Sequence, residues 1–333
     1  MLKVSDLDYT IEEYLVACDV KNLSRKTIKS YDQSLKLFAK YLLDNYNITS
    51  IKQIKKSHIE SYISFTKEKG KYSFVTNIDS KLSNHPENRS DFQEKMSDCT
   101  VNNYLRNIKA FLSWCVRERI IKDNFTKSIK YIKTKRRIKD QISDLEYKAL
   151  IKCLNTTKYV EFRNYCTINL IFDTGMRVGE TLALKVTDID MIRRTVILNA
   201  DITKSKRDRV VFFGRKTGEL LRRWIQYKDR YLESTLLFPT NRGGQLQVMN
   251  FEKNFKKYVN LAGIKKDITP HCLRNNFGRR FLMAGGDIYT LSKILGHSSV
   301  EVTEQCYLDL SDDDIRKNYQ KFSPIENMNG SAK

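Results

Sequence analysis

The sequence of 333 residues is poor in residues that break a chain or staple it together: it has 13 glycines, 4 prolines and 7 cysteines. So little glycine and proline excludes a collagen-like or low-complexity chain. The cysteines are odd in number and scattered, and no two form a C-x-x-C pair. This pattern argues against a disulfide framework and against a zinc site, and it fits a reducing cytosol.

Long apolar runs are also missing. No run reaches the ~18 residues of a membrane span, and the start, Met-Leu-Lys-Val-Ser-Asp, has no apolar signal core. We therefore expect a cytoplasmic protein, associated with the nucleoid of a bacterium or encoded by a phage, with no membrane partner. We also expect no metal and no cofactor.

Acidic residues are scarce relative to basic ones, with 39 Asp and Glu against 60 Lys and Arg, a formal net charge of +21. A field this positive indicates an anionic partner such as nucleic acid, although an A+T-rich genome would also enrich lysine. At ~150 residues per domain, the length suggests about two domains.

The first part of the chain is patterned as amphipathic helices. Thr10 and Glu13 predict a capping box for one helix, and Ser24 predicts the N-cap of a second. A third is predicted over 57–68, and a fourth starts at Thr100, each with apolar residues three and four positions apart. Four such helices predict a small all-α domain.

We place this domain at residues 1–130, with a polar surface loop or insertion at about 70–98. Residues 131–143 follow as a linker rich in basic side chains, which rarely lie inside a core. This segment is either merely solvated or lies along a phosphate backbone, and the net charge favours the second reading.

The rest of the chain predicts an α+β domain over residues 144–324 and a flexible tail over 325–333. Ser143 and Glu146 form a possible capping box, and β-branched or aromatic runs at Thr195–Leu198 and Val210–Phe213 predict a hairpin. Helices are predicted over 145–154, 161–173, 247–261, 273–284, 287–295 and 299–307. The expected fold class is mainly α with a small antiparallel sheet.

Six residues of this second domain suit the chemistry of a phosphodiester: Arg177, Lys204, His271, Arg274, His297 and Tyr307. Attack on the phosphorus places negative charge on the non-bridging oxygens, which preorganised charged donors stabilise. An arginine fork can hold two phosphate oxygens at once. His271 and Arg274 are three positions apart after a proline, so they share one face of a helix start. His297 lies in a loop from which it could hydrogen-bond the phosphate.

The hairpin lysine and the tyrosine would handle the proton and the covalent bond. A lysine on a turn can protonate a leaving oxygen, and Lys206 and Arg207 compete with Lys204 for that role. Tyr307 has an unperturbed pKa of ~10, and nearby cations would favour its phenolate. Each residue taken alone has an ordinary structural reading, so the hypothesis depends on their order and local contexts.

Those contexts resemble the tyrosine recombinase (phage integrase) family over about 143–322. The sequence Thr-Gly-Met-Arg-Val-Gly-Glu around Arg177 is similar to its first-arginine box, including Glu180 as a supporting residue. Lys-Ser-Lys-Arg-Asp-Arg-Val-Val resembles its hairpin lysine segment, and Leu-Phe-Pro-Thr-Asn-Arg-Gly-Gly resembles the stretch before a DNA-facing helix. Pro-His-Cys-Leu-Arg resembles its His-x-x-Arg box, and Leu-Gly-His-Ser-Ser through Tyr307 its closing box.

The resemblance implies a site-specific recombinase that cuts and rejoins DNA through a 3′-phosphotyrosine, without metal or ATP. It implies a helical core-binding (SAM-like) domain and a catalytic domain that form a C-shaped clamp on double-stranded DNA. Four protomers would act on two core sites, and an accessory excision factor is a possible further partner. The implied DNA-binding residues are Lys26, Thr27, Lys29, Asn102, Asn103, Arg106, Lys135, Arg136, Arg137 and Arg242.

The sequence departs from the family pattern in three ways. The 70–98 segment is longer than the compact family loop, and the chain begins directly with the helical domain, which suggests short core sites. Tyr307 is ten positions after His297, and position nine is Cys306, which is not the family nucleophile. A helix over 308–322 would pack either on a neighbouring subunit or on its own domain.

Integration or excision of a mobile element is the expected role. Chromosome or plasmid dimer resolution is the alternative, followed by a type IB-like topoisomerase and a catalytically inactive DNA-binding regulator.

Overall fold

The computed structural model describes residues 5–76, 82, 85–123, 125–134, 140–201, 203, 207–307, 316, 319 and 325. The chain forms two compact units, Met1–Arg136 and Arg137–Lys333. Across the described ranges, no helix is long and apolar enough to span a membrane. The fold class is confirmed: the protein is mainly helical, with one small antiparallel sheet in the second unit.

In the described part of the first unit, four long helices surround one apolar core. They are α1 (Asp6–Val20), α2 (Arg25–Tyr46), α3 (Lys56–Lys69) and α4 (Asp98–Arg117), with 3-10 turns at Ile51–Gln53, Pro86–Asn88 and Phe125–Ser128. Leu35 and Leu42 of α2 and Ile108, Phe111 and Leu112 of α4 are fully or almost fully buried in it. The apolar spacing thus predicted the helices, because each helix has one face that must leave water.

The first predicted cap is wrong. Helix α1 begins at Asp6, and its capping box pairs Ser5 with Asp8: the Ser5 hydroxyl accepts from the Asp8 amide at 3.1 Å. Thr10 lies inside the helix, where its hydroxyl donates to the Asp6 carbonyl at 2.8 Å. Ser24 is confirmed as the N-cap of α2, since its hydroxyl accepts from the Thr27 amide at 3.1 Å.

The segment between α3 and α4 is attached to the unit at its base. The Lys71 amide donates to the Glu94 carbonyl at 2.9 Å, and the Gln93 amide donates to the Lys71 carbonyl at 3.0 Å. The Phe74 ring meets that of Phe65 on α3 edge-on, with centroids 5.1 Å apart. Residues 77–81, 83 and 84 of the segment lie outside the described residues.

The second unit places a three-stranded sheet among helices. The helices with described bounds are α5 (Asp144–Lys152), α6 (Tyr159–Thr174), α7 (Val178–Ala183), α8 (Arg215–Tyr231), α9 (Val248–Leu261), α10 (Pro270–Met283), α11 (Ile288–Leu295) and α12 (Val300–Tyr307), with a 3-10 turn at Val186–Asp188. The strands are β1 (Ile189–Asp190), β2 (Thr195–Leu198) and β3 (Arg209–Phe212), in the order β1-β2-β3. All pairs are antiparallel, and Leu198 lies opposite Arg209, which confirms the predicted hairpin.

Helix α8 was not predicted, although it contributes the largest buried side chain of the unit. Leu221 and Trp224, three positions apart, are buried, and the Trp224 indole N–H donates to the Leu237 carbonyl at 2.7 Å. Helix α6 is buried on several faces, including Cys166, Ile168 and Leu170. It is the central helix of this unit, and the candidate site begins where it ends.

Candidate active site

Two turns that end in glycine lie beside the predicted cluster of site residues. Gly175 ends α6 with a φ of +67°, and an added Cβ would lie 2.4 Å from the Phe277 ring. Gly296 ends α11 with a φ of +65°, and an added Cβ would lie 2.9 Å from Cδ of Arg209. Both positions need the left-handed conformation and the small volume of glycine.

A buried carboxylate joins the first turn to the sheet. Glu180, in the first turn of α7, is 2% exposed and accepts from the Arg177 amide at 3.0 Å and from its Nη1 at 2.8 Å. Arg209 of β3 closes the other side, with Nη1 at 3.1 Å and Nη2 at 2.5 Å from the two carboxylate oxygens. Burial alone would raise the pKa of Glu180, but the bonds and charge of Arg209, with the bonds from Arg177, lower it. The carboxylate therefore stays ionised and holds both guanidinium groups.

Arg274 is held by main-chain carbonyls instead. It is 3% exposed, and it donates through Nη1 to the Gly175 carbonyl at 2.6 Å and through Nη2 to the Leu295 carbonyl at 2.7 Å. Nη2 of Arg177 donates to the next carbonyl, that of Gly296, at 3.4 Å. The two arginines expected to bind one phosphate thus bond carbonyls of consecutive residues, which brings their guanidinium groups close together.

His297 completes the described part of the cluster. Its Nε2 lies 3.1 Å from Nη2 of Arg274, and its Nδ1 lies 2.7 Å from the hydroxyl of Thr303. Burial first, and then the positive charges of Arg274, Arg177 and Arg209, lower the pKa of His297 to about 4. The imidazole is therefore neutral at pH 7 in the absence of an anion.

The remaining predicted site residues differ in their burial and in whether the structure describes their side chains. His271, in the first turn of α10, is exposed, whereas Arg274 three positions later is buried, so the two lie at different depths. Tyr307 is the last residue of α12, and its side chain lies outside the described residues. Lys204 and its competitor Lys206 also lie outside them, while Arg207 is described and exposed.

Two residues of the cluster were missed from the sequence. Arg209 lies inside the hairpin segment, and its register opposite Leu198 puts it on the buried face of the sheet, where a charged side chain needs a partner. Alternation along the strand was a usable signal for it. Thr303 is fully buried on α12, and a threonine among several apolar residues carries no comparable signal.

Five of the seven predicted DNA-binding side chains that the structure describes are exposed. Lys26 and Lys29 on the first turns of α2, Asn103 and Arg106 on α4 and Arg242 in the second unit reach solvent. Two others are engaged by the protein. The Thr27 hydroxyl lies 2.8 Å from that of Ser24, and the Asn102 amide bonds both the N–H and the carbonyl of Ile132 at 2.9 Å. Lys135, Arg136 and Arg137 fall outside the described residues.

The cluster is built to receive an anion. Three guanidinium groups and one carboxylate meet there, and the charges of Arg274, Arg177, Arg209 and His271 all act on the His297 ring. A phosphate placed among them would gain charge-assisted hydrogen bonds from arginine forks. Among the residues that the structure describes, no group of three or more His, Cys, Asp or Glu side chains could hold a metal ion.

Comparison with known families and curated proteins agrees with this geometry. Residues 141–314 match the phage integrase family, and residues 11–78 match the family described as phage integrase, N-terminal SAM-like domain. The chain is similar to the tyrosine recombinase XerD of Oceanobacillus iheyensis, with 25% identity over 324 residues that cover 96% of this chain and 99% of the relative. It is 28% identical to the XerD of Staphylococcus epidermidis (strain ATCC 12228 / FDA PCI 1200) over 319 residues, which cover 94% and 98%.

Solved structures share the fold. The Tn1549 transposon integrase in complex with a circular intermediate DNA aligns with a TM-score of 0.69 at 18% identity, covering 94% of this chain and 99% of that one. A lambda integrase dimer bound to a COC′ core site aligns at 0.66 with 14% identity, covering 90% and 94%. The XerH site-specific recombinase bound to palindromic difH substrate aligns at 0.66 with 19% identity, covering 95% and 84%.

Proposed function

Because the chain belongs to the phage integrase family, we propose that it is a site-specific DNA recombinase that breaks and rejoins DNA through a covalent phosphotyrosine at Tyr307. The observation that carries this proposal is the pairing of Arg177 and Arg274 on the consecutive carbonyls of Gly296 and Leu295. Two forks in that position can share one phosphate and neutralise the charge that develops on its non-bridging oxygens.

Each residue then has a role in two steps. Tyr307 attacks the phosphorus as the phenolate that nearby cations favour, a 3′-phosphotyrosine forms, and the bond to the 5′ oxygen breaks. Lys204 protonates that oxygen, and His297 and His271 hydrogen-bond the phosphate. In the second step a 5′-hydroxyl returns its proton to Lys204, attacks the phosphotyrosine and releases Tyr307 as the phenolate. The bond energy is retained in the intermediate, so the cycle needs no ATP. The arginine forks supply the charge stabilisation that a metal ion gives elsewhere, so the proposed cycle uses no metal.

DNA binding would use both units. Lys26, Lys29, Asn103 and Arg106 are exposed in the first unit and Arg242 in the second, and they would contact phosphates. Thr27 and Asn102 are not part of this set, since the Thr27 hydroxyl is engaged by Ser24 and the Asn102 amide by Ile132. The basic residues of segment 131–143 would contact the phosphate backbone as well. Two core sites would assemble a tetramer, and an excision factor could join it.

Integration or excision of a mobile element is the role we propose first. Resolution of chromosome or plasmid dimers is the second candidate, favoured by the similarity over almost the whole chain to proteins named tyrosine recombinase XerD. A test substrate decides between them: DNA that flanks the gene should be cleaved in the first case, and a chromosomal or plasmid dimer site in the second.

Covalent trapping tests the chemistry. Wild-type protein, Tyr307→Phe and the matched control Tyr289→Phe, an exposed tyrosine on α11, are incubated with nicked duplexes and EDTA and run on a denaturing gel. We expect a protease-sensitive shifted band with the wild type and the control, and none with Tyr307→Phe, which should still bind DNA. A band that persists in Tyr307→Phe places the nucleophile elsewhere, Cys306 included. DNA binding without a band in any protein favours the inactive regulator, and relaxation of supercoils without strand exchange favours the topoisomerase.

The leaving-group role has its own test. Lys204→Ala should cleave ordinary DNA slowly but be rescued by a 5′ leaving group that needs no protonation. The same rescue seen with Lys206→Ala or Arg207→Ala, and not with Lys204→Ala, would move the role to that residue.

A further inference from the structure

The imidazole of His297 has a hydrogen-bond partner at each ring nitrogen. Nε2 faces Nη2 of Arg274 at 3.1 Å, and Nδ1 faces the hydroxyl of Thr303 at 2.7 Å. Because guanidinium nitrogens donate and never accept, Nε2 must be the acceptor in this arrangement. The neutral ring therefore carries its proton on Nδ1 and donates it to Thr303.

Action on a phosphate needs the opposite arrangement at Nε2. This nitrogen can donate to a phosphate oxygen only when it carries a proton, so it must first release Arg274. Either the ring takes up a second proton, and both nitrogens donate, or the proton moves from Nδ1 to Nε2 and Nδ1 becomes an acceptor. A hydroxyl can partner Nδ1 in both cases, since it accepts from N–H and donates to a bare nitrogen. A carbonyl oxygen can only accept.

We propose that Thr303 is a positioning residue, which holds His297 from its Nδ1 side while Nε2 changes from accepting from Arg274 to donating to the phosphate of bound DNA. The inference rests on the proposed function and adds to it a residue that would not touch the DNA. Thr303 is fully buried, so water does not replace its hydroxyl. It also lies one helical turn before Tyr307 on α12, and its bond therefore ties the helix of the nucleophile to the anion site.

Bound phosphate would favour this change. Its negative charge would oppose the burial and the arginine charges that lower the pKa of His297 to about 4. The same phosphate would draw the Arg274 guanidinium toward its oxygens and so free Nε2. The ring would then need a fixed partner at Nδ1 to keep its orientation, as metal-bound histidines do in other proteins.

Three variants separate the hydroxyl from the packing. Thr303→Val keeps the shape and removes the hydroxyl, and Thr303→Ser keeps the hydroxyl. Thr167→Val is the matched control, because Thr167 is equally buried but its hydroxyl donates at 2.9 Å to the Arg163 carbonyl within α6. Thermal unfolding first identifies any variant that fails to fold.

Nitrogen NMR of histidine-labelled protein without DNA gives the first readout. The chain has four histidines, and His297→Gln assigns the signal. We expect the Nδ1–H tautomer in the wild type and in Thr303→Ser, a changed ring signal in Thr303→Val, and no change in Thr167→Val. An Nε2–H tautomer in the wild type, or a signal that ignores Thr303→Val, overturns the proposal. This arm needs no cleavage, so it holds even if the proposed function fails.

Rates of covalent-intermediate formation at saturating protein give the second readout. We expect Thr303→Val to be about 10- to 100-fold slower, with Thr303→Ser and Thr167→Val within about threefold of the wild type. In a His297→Ala background, Thr303→Val should have no further effect. An equal loss in that background would mean that the hydroxyl acts on the fold rather than through His297, and the inference would be withdrawn. Absence of any intermediate in the wild type would count against the proposed function alone.

Discussion

The charge of Glu180 is predicted to hold two guanidinium groups in place, and Glu180→Gln tests that directly. The substitution keeps the size of the side chain, but it replaces one carboxylate oxygen by an NH₂ group that cannot accept. Arg209, whose side chain is 8% exposed, would then be a buried cation that has lost its carboxylate. Arg177 would keep a single neutral acceptor on this side.

The expected loss in the free energy of unfolding follows from the burial of Glu180 and from the number of hydrogen bonds that its carboxylate accepts. Glu180 accepts four hydrogen bonds from the two arginines, over 2.5 to 3.1 Å. Removing one partner of a buried pair costs about 3–5 kcal/mol. The Arg177 side chain is 29% exposed, which lets water solvate one side of the cluster. We therefore expect the free energy of unfolding to fall by about 3 kcal/mol, the lower end of that range.

Urea unfolding of the full chain at pH 7 measures the loss. Glu219→Gln is the matched control: Glu219 also pairs with an arginine, Arg215 at 3.4 Å, but its side chain is 56% exposed. The substitution Glu219→Gln should change the free energy of unfolding by less than about 0.5 kcal/mol. Sulfate should stabilise Glu180→Gln more than the wild type, because an anion bound beside the arginines offsets part of the charge that the carboxylate no longer neutralises.

The dependence on pH gives a second condition. The folded pKa of Glu180 is lowered, so its contribution is fully present above the unfolded pKa of ~4.3 and is lost as pH falls through the folded value. The difference between wild type and Glu180→Gln should therefore shrink below about pH 4. A cost under about 1 kcal/mol at pH 7, or a difference that grows on acidification, would refute the reasoning.

Three further predictions concern the rest of the cluster. Arg274→Lys keeps the charge but loses the fork that spans two carbonyls. The rate of covalent-intermediate formation should therefore fall at least ~100-fold, while DNA affinity, measured by fluorescence anisotropy, should change less than about threefold. A loss of affinity that matches the loss of rate would contradict this. The lowered pKa of His297, about 4, means that the unfolded chain binds a proton first, so stability should drop as pH falls from ~6.5 toward 4. Allowing for partial exposure, the contribution of His297 to the drop from pH 7 to 5 is about 1 kcal/mol. This part should be lost in His297→Gln, and only the smaller part due to His58, whose pKa burial also lowers, should remain. An unchanged slope in His297→Gln would assign the drop elsewhere. Gly296→Ala should lower the free energy of unfolding by about 1–2 kcal/mol, since its φ is +65° and the new Cβ would meet Arg209 at 2.9 Å; unaltered thermal stability would contradict this.

Most of the fold could be predicted because each predicted helix buries one apolar stripe. The stripe of α4, from Val101 to Cys115, was visible in the sequence and is buried in the structure. The prediction failed where a second signal competed. At α1 the pair Thr10 and Glu13 suggested a later start, but the capping box that forms is Ser5 with Asp8. In α8 six lysines and arginines are spread along 17 residues, and they obscured the apolar face that carries Leu221 and Trp224.

The arginines and histidines of the site could be predicted from their local contexts, but their supports could not. Arg274 is held by the carbonyls of Gly175 and Leu295, and a carbonyl acceptor has no residue type that marks it. Arg209 could have been found from the register of the hairpin. The depth difference between His271 and Arg274 depends on how α10 packs, which helical spacing alone does not define.

The hydrogen bonds of Arg274 also predict the order in which site residues would be substituted if the activity were lost during evolution. They join Arg274 to Gly175, which is 99 residues away in the sequence, and to Leu295, which is 21 residues away. Selection for a folded protein therefore preserves the arginine even when selection for DNA cleavage has ceased. A descendant that had lost its chemistry would keep Arg274 and Glu180 for many generations, while side chains that serve only the DNA would drift first. In a family of such descendants, the buried arginine would indicate common origin. The residues that contact only the substrate would indicate whether the enzyme is still active.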